Sequence, residues 1–350
     1  MRGTMAFERR QTRRSKTVSS LAGFALGWMT VVAGPVQAAE GGHGVYLLGL
    51  KGPGAGITPP PGVFLSNTVY WYQGSNGANR PFPVVGGRTV ADVKATVWLD
   101  LPALTFVTPL EIFGGHFAIN ALIPLGGPSV DANATLVSAF LSGSPSRALH
   151  DSASTYGDPA VTAFLGWHAG NFHWTAGVTA FFPIGDYQQG ALANVANHRG
   201  AADFNGALTW LDPAIGLDIS VAAGITTSRE NTATKYRTGN EFHVEGAITQ
   251  NFGPQFSLGV VGYYYEQLSG DSGPGASLGA FKGRVTALGG SVGYNFKLGE
   301  LPVSARVKVY REFDVKNRLE GTAGFFSLSM PLYVVPKSTP AAAGVVAAKY

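Results

Sequence analysis

The sequence predicts an all-β chain, an antiparallel up-and-down transmembrane β-barrel of about twelve strands. The first observation is a rhythm in the gaps between strand patterns. Tight turns fall at Ala169-Gly170-Asn171, Leu211-Asp212-Pro213, Gly253-Pro254 and Leu298-Gly299-Glu300, while longer polar loops lie around 184–201, 228–238, 268–281 and 314–320. A barrel with short turns on one side of a membrane and long loops on the other produces this asymmetry. The second is period-two alternation over about ten residues per segment, the length a tilted strand needs to cross a bilayer. The third is composition: charged residues are 13% of 350, glycine contributes 48, and beyond the N-terminus no run of 18 apolar residues supplies a membrane helix.

Residues 1–38 read as a signal peptide. Arg2, Arg9, Arg10, Arg13, Arg14 and Lys16 form a basic n-region, Val18 to Val32 is apolar, and Val36-Gln37-Ala38 offers a small-residue cleavage site. The paired arginines lack the apolar continuation of a good twin-arginine signal, which favours general secretion. The formal charge of +4 belongs mainly to this leader, and the remainder is slightly acidic. Nothing in the charge pattern points to nucleic acid. Cysteine is absent, which excludes disulfides, thiolate metal sites and a cysteine nucleophile.

Residues 39–61 form a Gly/Pro-rich lead-in that ends in Pro59-Pro60-Pro61. Three prolines cannot sit in a hydrogen-bonded ladder, so an extended segment, a candidate plug or gate, precedes the first strand. Gly52-Pro-Gly-Ala-Gly56 opens no helix and follows no strand, so it makes a poor phosphate loop.

The barrel is expected over 62–332, with a Pro/Ala-rich tail over 333–350. Its strands are read at 63–73, 88–108, 114–141, 158–168, 172–183, 202–210, 214–227, 239–252, 255–267, 282–297, 302–313 and 321–331. The alternation is plain in Val303, Ala305, Val307 and Val309 against Ser304, Arg306, Lys308 and Tyr310. Within 114–141 the stretch Pro124-Leu-Gly-Gly-Pro128 reads as a bulge or bend. A true turn there would break the long/short order, and another hidden break would raise the count to fourteen. Aromatics cluster near strand ends (Tyr70-Trp-Tyr72, Tyr263-Tyr-Tyr265, Trp167, Trp174 and Trp210), as interface girdles do.

On the polar faces of these strands lie Lys94, Asp100, Asp218, His243, Glu245, Arg306, Lys308 and Glu312, the candidate lumen-facing residues. Two uses of such residues stay open. They can line a conducting pore, or they can fill and brace a closed one, because twelve strands enclose a narrow interior.

Ordered motifs also carry a resemblance. They are Glu40-Gly-Gly-His43 through Tyr46-Leu47 to Pro59-Pro-Pro-Gly62, Tyr156-Gly-Asp-Pro159, Phe182-Pro-Ile-Gly-Asp-Tyr187, Thr234-Lys-Tyr-Arg-Thr-Gly-Asn-Glu-Phe-His243, Tyr263-Tyr-Tyr-Glu-Gln267, Asp271-Ser-Gly273 and Lys282-Gly-Arg284. With these the chain resembles the phenol meta-pathway degradation family over nearly all of its mature length. The resemblance implies an outer-membrane barrel for passive uptake of small hydrophobic or aromatic compounds. Its partners would be outer-membrane lipid, the solute and the barrel-assembly machinery. The family has no agreed binding residues to carry over, and the tail after Tyr333 departs from barrels that end on an aromatic.

Enzymatic alternatives rest on few residues. Gly270-Asp-Ser-Gly273 is similar to a serine-protease nucleophile segment, and His150-Asp151 offers a base and a carboxylate, but both lie in turn-rich loops. An outer-membrane hydrolase using His173 or His243 lacks an assignable serine. His243 and Glu245 share a face, but two ligands do not complete a metal site. A structural barrel without transport is the remaining alternative. No cofactor is expected.

Overall fold

The structure, a computed structural model, describes residues 40–76, 82–84, 88–135, 146–276 and 279–336. The expected leader, the 136–141 end of the third strand and the tail beyond 336 lie outside the described residues. A 3-10 turn, Glu40–Gly42, opens the lead-in. The strands that follow are β1 (Gly62–Ser75), β2 (Phe82–Val84), β3 (Arg88–Ile112), β4 (Gly115–Leu122), β5 (Leu125–Thr135) and β6 (Ser146–Ser152). Next come β7 (Thr155–Tyr156), β8 (Ala160–Ala169), β9 (Phe172–Phe181), β10 (Ala201–Asp212) and β11 (Leu217–Ser228). The last five are β12 (Glu241–Phe252), β13 (Phe256–Gln267), β14 (Arg284–Leu298), β15 (Leu301–Lys316) and β16 (Glu320–Val334).

Every neighbour pair is antiparallel, and β1 pairs with both β3 and β16, which closes the sheet into a twelve-strand barrel. Closure removes the unpaired edges that lipid could not satisfy. The interruption at Pro124 is a bend and not a turn. Leu122 lies opposite Ala103 on β3 and Leu125 opposite Asp100, so the register continues unbroken from β4 into β5. On the other edge Leu122 faces Ala160 and Leu125 faces Tyr156, two intervening residues against three. The extra residue in Gly157-Asp158-Pro159 makes a bulge there. Counting β5 as the upper part of β4 leaves β2, β6 and β7 outside the twelve.

Tight connections at 113–114, 170–171, 213–216, 253–255 and 299–300 gather at one rim with the start of β1 and the end of β16. At the first, Phe113 and Gly114 both have positive φ, 51° and 74°, as a two-residue hairpin turn requires. The longer connections gather at the opposite rim. Outward faces carry exposed apolar side chains such as Phe204, Ile219, Val260, Leu288 and Val309, the band a bilayer solvates.

Candidate functional site

The lumen is occupied by the lead-in. A segment with no ladder partner must satisfy its backbone groups elsewhere, and side chains from one half of the wall supply the partners. Near the loop rim the Glu40 carboxylate accepts from Thr234 Oγ1 at 2.6 Å and Asn231 Nδ2 at 3.0 Å, with Arg199 at 3.6 Å. Arg199 also donates to the His43 carbonyl at 3.2 Å. Burial pushes the Glu40 carboxyl above its ordinary range, against the opposing pull of Arg199, Thr234 and Asn231.

Midway, Tyr46 stacks on His243, and Lys308 Nζ donates to the carbonyls of Gly49, Leu50 and Lys51 at 2.5, 2.8 and 2.7 Å. Leu48 packs into a buried cluster with Tyr70, Leu101, Tyr263, Tyr310 and Phe325. Towards the turn rim, Gly54 N donates to Ser220 Oγ and Gly56 N to Thr209 Oγ1, each at 2.9 Å. Thr58 then sits against Gly166, where a β-carbon would collide with it.

The predicted residues divide into two groups. Asp218, His243, Glu245, Lys308 and Glu312 are buried on the lumen face, and Arg306 faces the same way with Ser291 Oγ at 3.2 Å. Asp218 accepts from Ser220 at 2.6 Å, behind the hook on Gly54. His243 meets Asp203 at 2.9 Å. Glu312 accepts from Tyr72 at 2.9 Å, Tyr263 at 2.8 Å and Gly321 N at 2.8 Å. Lys94 and Asp100 are a correction: they share the face of β3 that carries the exposed Trp98, Leu104 and Phe106. The inward positions of that strand are Val93, Ala95, Leu101 and Ala103. Here the lumen side is the more apolar one, with Val93, Ala95, Val97, Leu99 and Leu101 lining the cavity beside the lead-in.

Arg199, Asp203, Asn231 and Glu40 escaped the sequence reading. Arg199 and Asn231 lie in loops without periodicity, and Glu40 in a segment without a strand pattern. Asp203 alternates with Asn205 on β10, a usable signal.

Between the lead-in and the wall lies a cavity of about 370 Å³, bordered chiefly by strands from β1 through β10 and reached also by Ala222, His243, Tyr263 and Glu312. Its lining is mostly apolar, with Leu47, Leu50, Val97, Leu99, Leu101 and Leu122, and it includes Asn120, Thr162, Thr179 and Asn205. The β9–β10 loop covers its outer end. Asp158 holds that loop through Gly185 N at 3.0 Å, Asn197 N at 2.7 Å and His198 N at 3.1 Å, and Asp151 holds Leu192 N at 2.8 Å and Ala193 N at 3.0 Å.

The groups of the protease reading are engaged differently. Asp271 accepts from Tyr236 Oη at 2.5 Å, Gln267 Nε2 at 2.5 Å and Gly239 N at 3.1 Å, which braces two loops. His150 pairs with Asp131 at 2.8 Å. Among the described residues no group of three or more His, Cys, Asp or Glu is arranged to hold a metal.

A family model described as MetA-pathway of phenol degradation matches residues 78–328. The chain belongs to this family. Its structure is similar to that of an outer membrane channel from Pseudomonas putida F1, at 16% identity and a TM-score of 0.59, covering 79% of this chain and 98% of that one. A FadL homologue from Pseudomonas aeruginosa aligns at 13% identity and a TM-score of 0.39, over 79% and 93% of the two chains. No curated protein matches the sequence. The first likeness shows the fold, an antiparallel β-barrel shared with that channel.

Proposed function

We propose that the protein is a passive outer-membrane channel for small hydrophobic or aromatic compounds, delivered through general secretion and the barrel-assembly machinery. One observation carries the reading. The lead-in is fastened by polar contacts to the β10–β15 side of the wall, and a mainly apolar cavity lies beside it, lined chiefly by the opposite side. This space, mainly apolar and beside a fastened segment, is large enough to admit a small solute. Pockets of a few hundred cubic ångströms with few polar groups suit small ligands. Glu40 and Lys308 are engaged between the wall and the lead-in, and Glu312 and Asp158 are engaged within the wall and its loops, so the solute meets a mainly apolar path.

The test uses vesicles whose outer leaflet is lipopolysaccharide, which slows apolar solutes that plain phospholipid lets through. Uptake of a small aromatic compound should be faster with the protein than without it. Equal rates would defeat the proposal and favour a structural barrel.

A further inference from the structure

Several polar lumen residues lie in a single cross-strand row. Thr105 on β3 is opposite Asn120 on β4, Asn120 opposite Thr162 on β8, Thr162 opposite Thr179 on β9, and Thr179 opposite Asp203 on β10. Hydrogen bonds run along it: Asn120 Nδ2 donates to Thr105 Oγ1 at 2.8 Å, the Thr162 and Thr179 hydroxyls share a bond of 2.9 Å, and Asn205 Nδ2 donates to Thr179 Oγ1 at 3.1 Å. The row's charged end is spent, since Asp203 is taken up by His243, Thr226 and Asn205. The other members of the row, Thr105, Asn120, Thr162 and Thr179, are neutral.

We infer that this cavity is a recognition site for an uncharged molecule with one hydrogen-bonding group on an apolar body, read by Asn120, Thr162 and Thr179. The inference rests on the channel reading above and goes beyond it by naming the solute's chemistry and the residues that select it. Two hydroxyls that share one hydrogen bond keep a second O–H and spare lone pairs, and Asn120 keeps its carboxamide oxygen as an acceptor. A single hydroxyl or carbonyl on the solute can therefore join the row, while Leu47, Leu50, Leu99 and Leu122 enclose the rest of the molecule.

The charged groups along the cavity favour no net charge. Glu40 faces Arg199, Glu312 is bonded to two tyrosines and a backbone N–H, and Arg318 lies 4.3 Å from the centre of the Tyr265 ring. Lys51 lies in the field of Glu245 and Asp203. An anion would find no unshared cation at the row itself.

The experiment compares three probes of similar size in lipopolysaccharide vesicles: toluene, benzyl alcohol and benzoate. The unaltered protein should carry benzyl alcohol best. The double variant Thr162→Val/Thr179→Val should lose that advantage roughly two- to tenfold, the effect of one net hydrogen bond, with toluene unchanged. Heat-modifiable gel migration confirms that the variant is folded. An unchanged benzyl alcohol to toluene ratio, or a preference for benzoate, overturns the inference while leaving the channel intact. If no probe crosses, the channel reading fails. Saturation-transfer NMR on the detergent-solubilised protein then decides the inference: benzyl alcohol should bind the unaltered protein and not the variant, and absence of binding overturns it.

Discussion

Tyr46 of the lead-in lies flat on His243 of β12, with ring centroids 3.7 Å apart and planes 14° from parallel, and Asp203 holds the imidazole at 2.9 Å. A carboxylate, a histidine and a tyrosine thus form a relay of contacts from wall to lead-in. Stacked aromatic pairs contribute about 0.5–1.5 kcal/mol beyond their buried area. Tyr46→Ala should loosen the segment, and His243→Ala should do so too, with little further effect in the double variant. The chain has no cysteine, so a nitroxide on Val45→Cys reports this cleanly by electron paramagnetic resonance. Equal mobility in all variants would contradict it.

Gly56 makes a steric prediction. A β-carbon there would lie 2.5 Å from the His173 carbonyl oxygen and 2.7 Å from Thr209 N, both backbone atoms that cannot rotate away. Gly56→Ala should cost about 1–3 kcal/mol, as overpacking does. Gly200→Ala, whose nearest neighbour would be 3.7 Å away, should change little. Denaturant unfolding in detergent checks both.

The corrected placement of Lys94 and Asp100 has an electrical consequence. Lys94→Gln and Asp100→Asn remove charges from the outward face and should leave ion selectivity unchanged. Arg306→Gln removes a charge from the lumen, beside Asp218, and should shift the reversal potential in a salt gradient towards cations. A shift from Lys94→Gln as large as that from Arg306→Gln would contradict the assignment of faces.

The fold was legible because lipid imposes a simple rule on long strands. Leu217–Ser228 alternates in burial along nearly its whole length, and the unbroken register past Pro124 kept the count at twelve. The rule failed where its premise did. It takes polar residues to point inward, and β3 turns Ala95, Leu101 and Ala103 inward, while Lys94 points out. Ser146–Ser152 went unread because it lies beyond the lipid-facing part of the wall, where no apolar alternation is imposed. The seat of the lead-in was hidden for another reason: its contacts are remote, with Gly56 bonding Thr209 across 153 residues. Local pattern carries no trace of such pairing.

Glu40 makes docking of the lead-in depend on pH, with a sign opposite to that of a simple salt bridge. Its carboxyl is raised chiefly by burial, so the docked state favours the neutral form. The contribution to docking is complete below the ordinary carboxylate range and is lost as pH rises through the raised value. The nitroxide at position 45 should therefore be less mobile at about pH 4.5 than at about pH 7, and Glu40→Gln should reduce the difference. Greater mobility at the lower pH would mean that the Arg199 pair dominates.

Single-channel recording in planar bilayers tests the central claim most directly, by comparing the unaltered protein with a variant lacking residues 40–56. The lead-in lies in the lumen with a cavity of about 370 Å³ beside it, so the unaltered protein should show small conductance steps and the deletion variant clearly larger ones. Equal conductance in both, with the barrel intact by gel migration, would contradict the account.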